Sequence, residues 1–294
     1  MMIFSELKHY FFNLLVIGKS ISGDYKFTLH DHFHYLRFAE SPGPQNKFPS
    51  IFKTGEDTVF IKFKIGSFSY YWPRNISLNG LTWMYQEVFE SSSDNPHAYE
   101  YEKIQINTGD NVIDAGACEG FFTRYALGKG ATIIAIEPVK ILAEALERTF
   151  SEEIKRGQVS IINAALGSSR TMGYLSSETE TIFESHLAIC GDIVNIITLD
   201  DFITTKVNFI KMDIEGGEVD ALYGAQNIIL QYKPKLSIAV YHKYENAQII
   251  MDYLRELCPE YTIKHRGIYA YNDEKPRPMM VYASINVKEK NNKE

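Results

Sequence analysis

The chain has 294 residues, of which 45% are apolar and 23% charged, and its formal net charge is −7. That much apolar material suffices for one large domain or two modest ones. The acidic balance argues against bulk binding to a phosphate backbone, which needs clustered Lys and Arg, so no nucleic-acid partner is expected.

Near the N-terminus, Tyr10 to Ile17 is almost wholly apolar, but no basic stretch precedes it and no small-x-small cleavage site follows. No segment reaches the roughly 18–20 apolar residues of a membrane span. Ile3, Phe4, Leu7, Tyr10, Phe11, Leu14 and Leu15 share one helical face, which predicts an amphipathic helix packed on the protein. Its polar face carries little positive charge, so no peripheral membrane docking is expected. Residues 40–50 are rich in Pro, Gly, Ser and Asn and read as a loop. Val59–Ile65 alternates, Ser67–Trp72 is aromatic, and Gly66 lies between them, which predicts a hairpin. Phe68, Tyr70, Tyr71, Trp72 and Trp83 would form its packed core or, less simply, stack on a sugar ring. Leu81–Phe89 is read as a helix, and Ser91 to Pro96 breaks the chain. A boundary falls there. Residues 1–95 form an N-terminal extension with a substrate or oligomer role, 96–287 a second unit, and 288–294 a charged, disordered tail.

From residue 110 strand and helix patterns alternate. Strands are expected at 111–115, 132–136, 159–164, 207–212, 235–241 and 280–286. The fold class is therefore α/β, with a doubly wound, mostly parallel sheet covered on both faces. Residues 168–190, rich in Ser, Thr and Glu, break the rhythm and read as a long loop. Cys118, Cys190 and Cys258 are odd in number and lack metal-ligand spacing, which points to a reducing, cytoplasmic setting.

The most informative stretch is Val112-Ile113-Asp114-Ala115-Gly116-Ala117-Cys118-Glu119-Gly120. A strand, a glycine turn and a helix start bring backbone close to a nucleotide. A dinucleotide site would want Gly-x-Gly-x-x-Gly, and acids at the turn would repel a pyrophosphate. Acids suit a phosphate-free ligand with a cationic end, such as S-adenosylmethionine. The next strand ends in Glu137, where a ribose diol would be gripped. A further strand ends in Lys211-Met212-Asp213-Ile214-Glu215-Gly216-Gly217-Glu218, and another in Tyr241-His242.

These elements, with Glu137-Pro138 and Thr198-Leu199-Asp200-Asp201-Phe202, resemble the FkbM family of S-adenosylmethionine-dependent methyltransferases over about residues 98–285. Cys118 and Glu119 stand where members usually carry Asn and a small or apolar residue. The resemblance implies a class I methyltransferase fold and O-methylation of a hydroxyl on a sugar, glycan or other small metabolite. N-methylation of a small molecule or protein, and a non-catalytic binding module, are the alternatives. Asp114, Gly116, Gly120, Glu137, Asn163 and Asp213 are expected to hold the cofactor. His242, Asp213 and Glu215 are expected to be catalytic, with His242 as general base. No third ligand is marked by spacing beside Asp213 and Glu215, so no metal is expected. Self-association stays open.

Overall fold

The computed structural model describes residues 2–40, 50–176, 185–270 and 275–285. The N-terminal region holds α1 (Met2–Ser22), α2 (Leu29–Glu40), the strands β1 (Ile51–Glu56), β2 (Phe60–Ile65) and β3 (Phe68–Pro73), and α3 (Leu81–Phe89). Then follow β4 (Asn111–Ala115), α4 (Phe121–Gly128), β5 (Thr132–Ile136), α5 (Lys140–Thr149), α6 (Ser151–Lys155) and β6 (Val159–Ile162). Short strands β7 (Ala165–Leu166), β8 (Thr171–Leu175), β9 (Leu187–Ala188) and β10 (Asp192–Ile197) lead to α7 (Leu199–Phe202). The chain closes with β11 (Phe209–Met212), α8 (Glu218–Tyr223), α9 (Gln226–Tyr232), β12 (Lys235–Ala239), α10 (Asn246–Leu257), β13 (Tyr261–Tyr269) and β14 (Arg277–Ile285).

The expected doubly wound sheet is present. Its strand order is β13-β14-β12-β11-β4-β5-β6. The pairs β6–β5–β4–β11–β12 are parallel, and β14 runs antiparallel to both neighbours. Apolar residues on successive positions of one strand serve opposite layers, because side chains alternate across a strand. Ile113, Ile210 and Leu236 pack with α8, α9 and α10. Val112, Ile133 and Phe209 pack with α4 and α5 through Phe122, Leu146 and Phe150. Strand order reverses between β4 and β11, and open α/β sheets bind ligands outside the strand ends at such a switch.

Several expectations change. Residues 168–190 are not one loop: β8 and β9 join β7 and β10 in a small sheet of order β7-β10-β8-β9. That segment's residues 177–184, most of the 40–50 loop and the charged tail lie outside the described residues. β13 was not foreseen. The hairpin is three-stranded, since β1 pairs with β2. Two of its aromatics are core, as the simpler reading had it, with Tyr70 and Trp72 fully buried against Phe121 and Leu142, whereas Phe68 is exposed and Tyr71 and Trp83 are half-buried. Helix α1 forms, but Leu14 and Leu15 are exposed, while Asn13, Val16 and Ser20 are buried. A hydrogen-bond contact of 2.9 Å between Ser20 Oγ and His32 Nε2 turns that face toward α2. Among the described residues no helix is long and apolar enough to cross a membrane.

The described elements of the N-terminal region pack on the sheet and its helices at more than one place. Helix α2 packs on β13, whereas β3 packs on α5 and α3 on α4. Buried Asp31 joins α2 to the sheet. Its Oδ1 accepts from Gly267 N at 2.9 Å, and its Oδ2 accepts from Thr28 N at 2.8 Å and Thr28 Oγ1 at 2.7 Å. Asp31→Ala strands those donors and should cost about 1–3 kcal/mol of stability. Chemical denaturation checks this, and an unchanged midpoint and slope would show that α2 is not held by this carboxylate.

Candidate active site

A cavity of about 520 Å³ opens at the switch point. Its wall combines the turn after β4, the end of β5, the turn after β11, Tyr241 and Lys243 after β12, part of the small sheet, and Met84, Glu87 and Val88 of α3. The N-terminal region therefore completes the site.

The turn after β4 is held very close to the turn after β11. Gly116 has φ +79°, and a Cβ there would sit 1.8 Å from the carbonyl oxygen of Asp213, so only glycine fits. Gly120, at φ +85°, is also confined: a Cβ would meet Phe150 and Leu146 at 2.7–2.8 Å. Gly116 lines the cavity and Gly120 does not. Gly120 thus shapes the turn from outside the cavity wall.

Glu137 lines the cavity and is almost fully buried. Its Oε2 accepts from Cys118 N and its Oε1 from Val139 N, both at 2.9 Å. Each oxygen keeps a further acceptor lobe for a ligand. Burial raises this carboxyl to about 7, although the two amides oppose the shift. Glu119, on the same wall, is likewise raised by burial to about 7.

Asp114 occupies a different place from the one expected. It is fully buried and does not line the cavity. Its Oδ1 lies 3.1 Å from Lys211 Nζ, and its Oδ2 accepts from Thr123 Oγ1 at 2.6 Å. Lys211 Nζ also donates to the carbonyls of Ala115 at 3.2 Å and Gly116 at 2.6 Å. Asp114 therefore secures the turn from behind. Asn163 also departs from expectation. It is exposed, lies outside the cavity wall, and spends its amide on the carbonyls of Glu137 and Pro138, each at 2.9 Å.

Asp213 and Glu215 both line the cavity. Asp213 Oδ2 accepts from Tyr99 OH at 2.7 Å and has His97 Nε2 at 3.7 Å. Burial alone would raise the Asp213 carboxyl, but His242, His97 and Lys211 outweigh it and hold it below the usual range. His242 sits behind these acids, not on the wall. Its Nε2 lies 3.4 Å from Asp213 Oδ1 and 3.3 Å from Glu215 Oε2, and its Nδ1 lies 3.0 Å from Glu218 Oε1. Burial would lower the imidazole, yet Glu215, Glu218 and Asp213 together raise it well above its ordinary value. The ring stands behind Asp213 and Glu215 and is enclosed by three carboxylates, so it does not meet the cavity directly, unlike the position expected of a general base. The expectation of no third metal donor is corrected too, because folding sets His242 beside Asp213 and Glu215.

Sequence spacing gave no sign of Glu87, His97 or Tyr99. They precede the first strand of the large sheet, and only packing brings them to the strand ends. Glu218 stood within a recognisable element, but its part was not legible. It is fully buried, with Oε1 accepting from Ile214 N and Gly216 N and Oε2 from Asn246 Nδ2 at 2.9 Å.

A mostly parallel sheet with one antiparallel strand beside its edge, and a cavity at the switch point, is the fold of class I methyltransferases. The Methyltransferase FkbM domain model matches residues 114–261, just over half of the 294 residues. The chain belongs to the FkbM methyltransferase family.

Several solved structures are similar to parts of the chain. Methyltransferase FkbM from Methylobacillus flagellatus KT has a TM-score of 0.49 and 22% identity, covering 68% of this chain and 47% of that one. The tRNA m1G37 methyltransferase of M. jannaschii has a TM-score of 0.44 and 11% identity, covering 79% and 56%. An O-methyltransferase from Thermotoga maritima has a TM-score of 0.38 and 13% identity, covering 62% of each chain. The chain spans about half the length of the first of these. No curated protein matches the sequence.

The buried acids make stability depend on pH. Folding raises Glu119 and Glu137 from 4.5 to about 7, so the native state binds protons that the unfolded chain has released. Their ionisation destabilises the fold above pH 7, and that cost disappears as pH falls from about 7 toward 4.5. His34 and His265, both lowered by desolvation, act in the opposite sense near pH 6.5. The ligand-free protein should therefore gain more melting temperature between pH 7.5 and 5.5 than a Glu119→Gln, Glu137→Gln double variant. Identical slopes for the two proteins would show that these carboxyls are not perturbed.

Proposed function

We propose that the protein is an S-adenosylmethionine-dependent O-methyltransferase acting on a hydroxyl of a sugar, glycan or other small metabolite. The observation that carries this reading is the convergence of Gly116, Glu137, Asp213 and Glu215 on one cavity. The volume lies within the usual range of about 300–1,000 Å³ for small-molecule sites. The wall fits the donor chemically. Gly116 leaves backbone open to close approach, Glu137 retains acceptor lobes for ribose hydroxyls, and Asp213 and Glu215 put negative charge on the wall. S-adenosylmethionine supplies an electrophilic methyl carbon on a sulfonium.

The chain's own residues then divide the chemistry three ways. The turn after β4 and Glu137 bind and orient. The acids of the wall favour the cationic end of the donor. A hydroxyl acceptor is a weak nucleophile, so a positioned group must take its proton, typically for a 10²–10⁴-fold gain. Glu87 suits that proton transfer, since it is on the wall, burial raises its carboxyl, and its Oε1 accepts from Trp83 Nε1 at 2.9 Å. Both lysines on the wall are engaged, Lys211 by Asp114 and Lys243 by the Gly216 carbonyl at 2.8 Å. A wall of acids with its lysines occupied suits a neutral polyol better than a phosphorylated or nucleic-acid acceptor.

Calorimetry should give binding of S-adenosylmethionine and none of NAD. The reverse result would sink the donor assignment. Glu137→Ala should weaken donor binding by about 1–3 kcal/mol, because bonds from two hydroxyls to a carboxylate are lost. Equal affinity in parent and variant would remove Glu137 from the site.

Glu87→Gln should lower turnover to S-adenosylhomocysteine by about 10²–10⁴-fold, with donor affinity nearly unchanged. A loss confined to donor binding would reassign Glu87 to the cofactor side.

A further inference from the structure

Three side chains able to ligate a metal come together beside the cavity from two parts of the chain. Asp213 follows the end of β11, Glu215 lies in the turn beyond it, and His242 lies just beyond β12. One donor atom from each of Asp213, Glu215 and His242 lies within 4.8 Å of the other two. Nε2 is 3.4 Å from the first oxygen and 3.3 Å from the second. Donors bound at roughly 2.1 Å and at right angles around one cation sit about 3 Å apart, so these separations need little adjustment.

We propose that Asp213, Glu215 and His242 hold a divalent metal cation of the Mn²⁺ or Mg²⁺ class at the cavity wall. Three features carry this beyond the bare cluster. The first is aim. Glu218 Oε1 sits 3.0 Å from His242 Nδ1, and Glu218 is itself pinned by the amides of Ile214 and Gly216 and by Asn246. A carboxylate behind the ring places the proton of a neutral imidazole on Nδ1 and turns the Nε2 lone pair toward the two acids. The second is an orphaned acceptor pair. Among the described residues neither ring nitrogen of His242 nor Oδ1 of Asp213 makes a well-aligned hydrogen bond, although carboxylate oxygens lie 3.0–3.4 Å from both nitrogens, and the His242 side chain is only 9% exposed. Lone pairs that face one another in a buried place need a positive charge between them. The third is division of labour within Asp213. Tyr99 occupies Oδ2, which leaves Oδ1 to the cluster.

Two carboxylate oxygens and one imidazole nitrogen form a hard, mixed donor set suited to Mn²⁺ or Mg²⁺. Positions left open would face the cavity, because Asp213 and Glu215 line it. The cation's role rests on the methyltransferase reading above. Such a cation would make a hydroxyl held against it more acidic. Glu87 takes the hydroxyl proton. The oxygen then forms its bond to the methyl carbon as the carbon–sulfur bond breaks, and that electron pair returns to sulfur and cancels the sulfonium charge.

The rival occupant of the same spot is a proton on Nε2, and metal stoichiometry separates the two. The full chain, stripped with EDTA, is titrated with Mn²⁺ while the free-ion electron paramagnetic resonance signal is followed. One Mn²⁺ per chain is expected. Asp213→Asn and His242→Ala should weaken binding at least tenfold, and Glu218→Gln, which only positions the ring, by less. Melting curves verify that each variant folds. If the buried variants do not, Glu215→Gln at the more open position reads out the same loss. A parent that binds no more Mn²⁺ than His242→Ala, or binding that survives both His242→Ala and Glu215→Gln, overturns the proposal. Calorimetry with S-adenosylmethionine on the same samples keeps the two readings apart. Donor binding without Mn²⁺ binding removes the cation alone, and Mn²⁺ binding without donor binding removes the methyltransferase mechanism and leaves the site.

Discussion

The buried ion pair between Asp114 and Lys211 ties the whole site together. It joins neighbouring strands on either side of the switch point, with side chains almost completely removed from water. Lys211 reaches beyond its partner to the carbonyls of Ala115 and Gly116, so one ammonium holds both the strand end and the first turn of the ligand loop. Removing either member would leave an uncompensated buried charge, which typically costs about 3–5 kcal/mol. The close approach of Gly116 to the Asp213 carbonyl depends on this clamp. So does the register that sets Asp213 beside the loop.

Carboxylates act here in two layers. A hidden layer of Asp114, Glu218 and Asp31 spends its oxygens on backbone amides, hydroxyls and buried cations and builds the turns. An outer layer of Glu87, Glu119, Glu137, Asp213 and Glu215 faces the cavity. Burial raises the carboxyls of Glu87, Glu119, Glu137 and Glu215, which is the signature of acids that lack enough local positive charge. Asp213 is the exception, because two imidazoles and Lys211 surround it. A site with surplus negative charge is prepared for cationic ligands, and both the sulfonium donor and a divalent cation meet that requirement.

The N-terminal region belongs to this chemistry physically. Its hairpin docks on α5 through Tyr71 N, which donates to Thr149 Oγ1 at 2.9 Å, and through an Arg148–Asp57 pair at 2.5 Å. That docking supports α3, which places Glu87 and Met84 on the cavity wall. At the other edge of the sheet, Tyr25 OH donates to the Tyr244 carbonyl at 3.0 Å, close to the segment that follows His242. Both ends of the ligand cleft are thus buttressed by residues that precede the sheet.

The amino-acid sequence by itself determined the sheet and its ligand edge. Apolar runs such as 111–115 and 132–136, the Gly116 turn, and acids at strand ends are short-range signals, because strand alternation and turn geometry depend on near neighbours. The Lys-x-Asp-x-Glu-Gly-x-Glu element carried the family in the same local way. Only the tertiary structure decided what each acid does. Asp114 and Asp213 both stand at strand ends and look alike in sequence, yet one is sealed under the loop by Lys211 and the other opens on the cavity beside Tyr99. His242 likewise changed from a base to a ring enclosed by three carboxylates. Burial, charge and hydrogen-bond partners decide such roles, and here they come from residues far apart in the chain, which meet only because the strand order brings β4, β11 and β12 side by side.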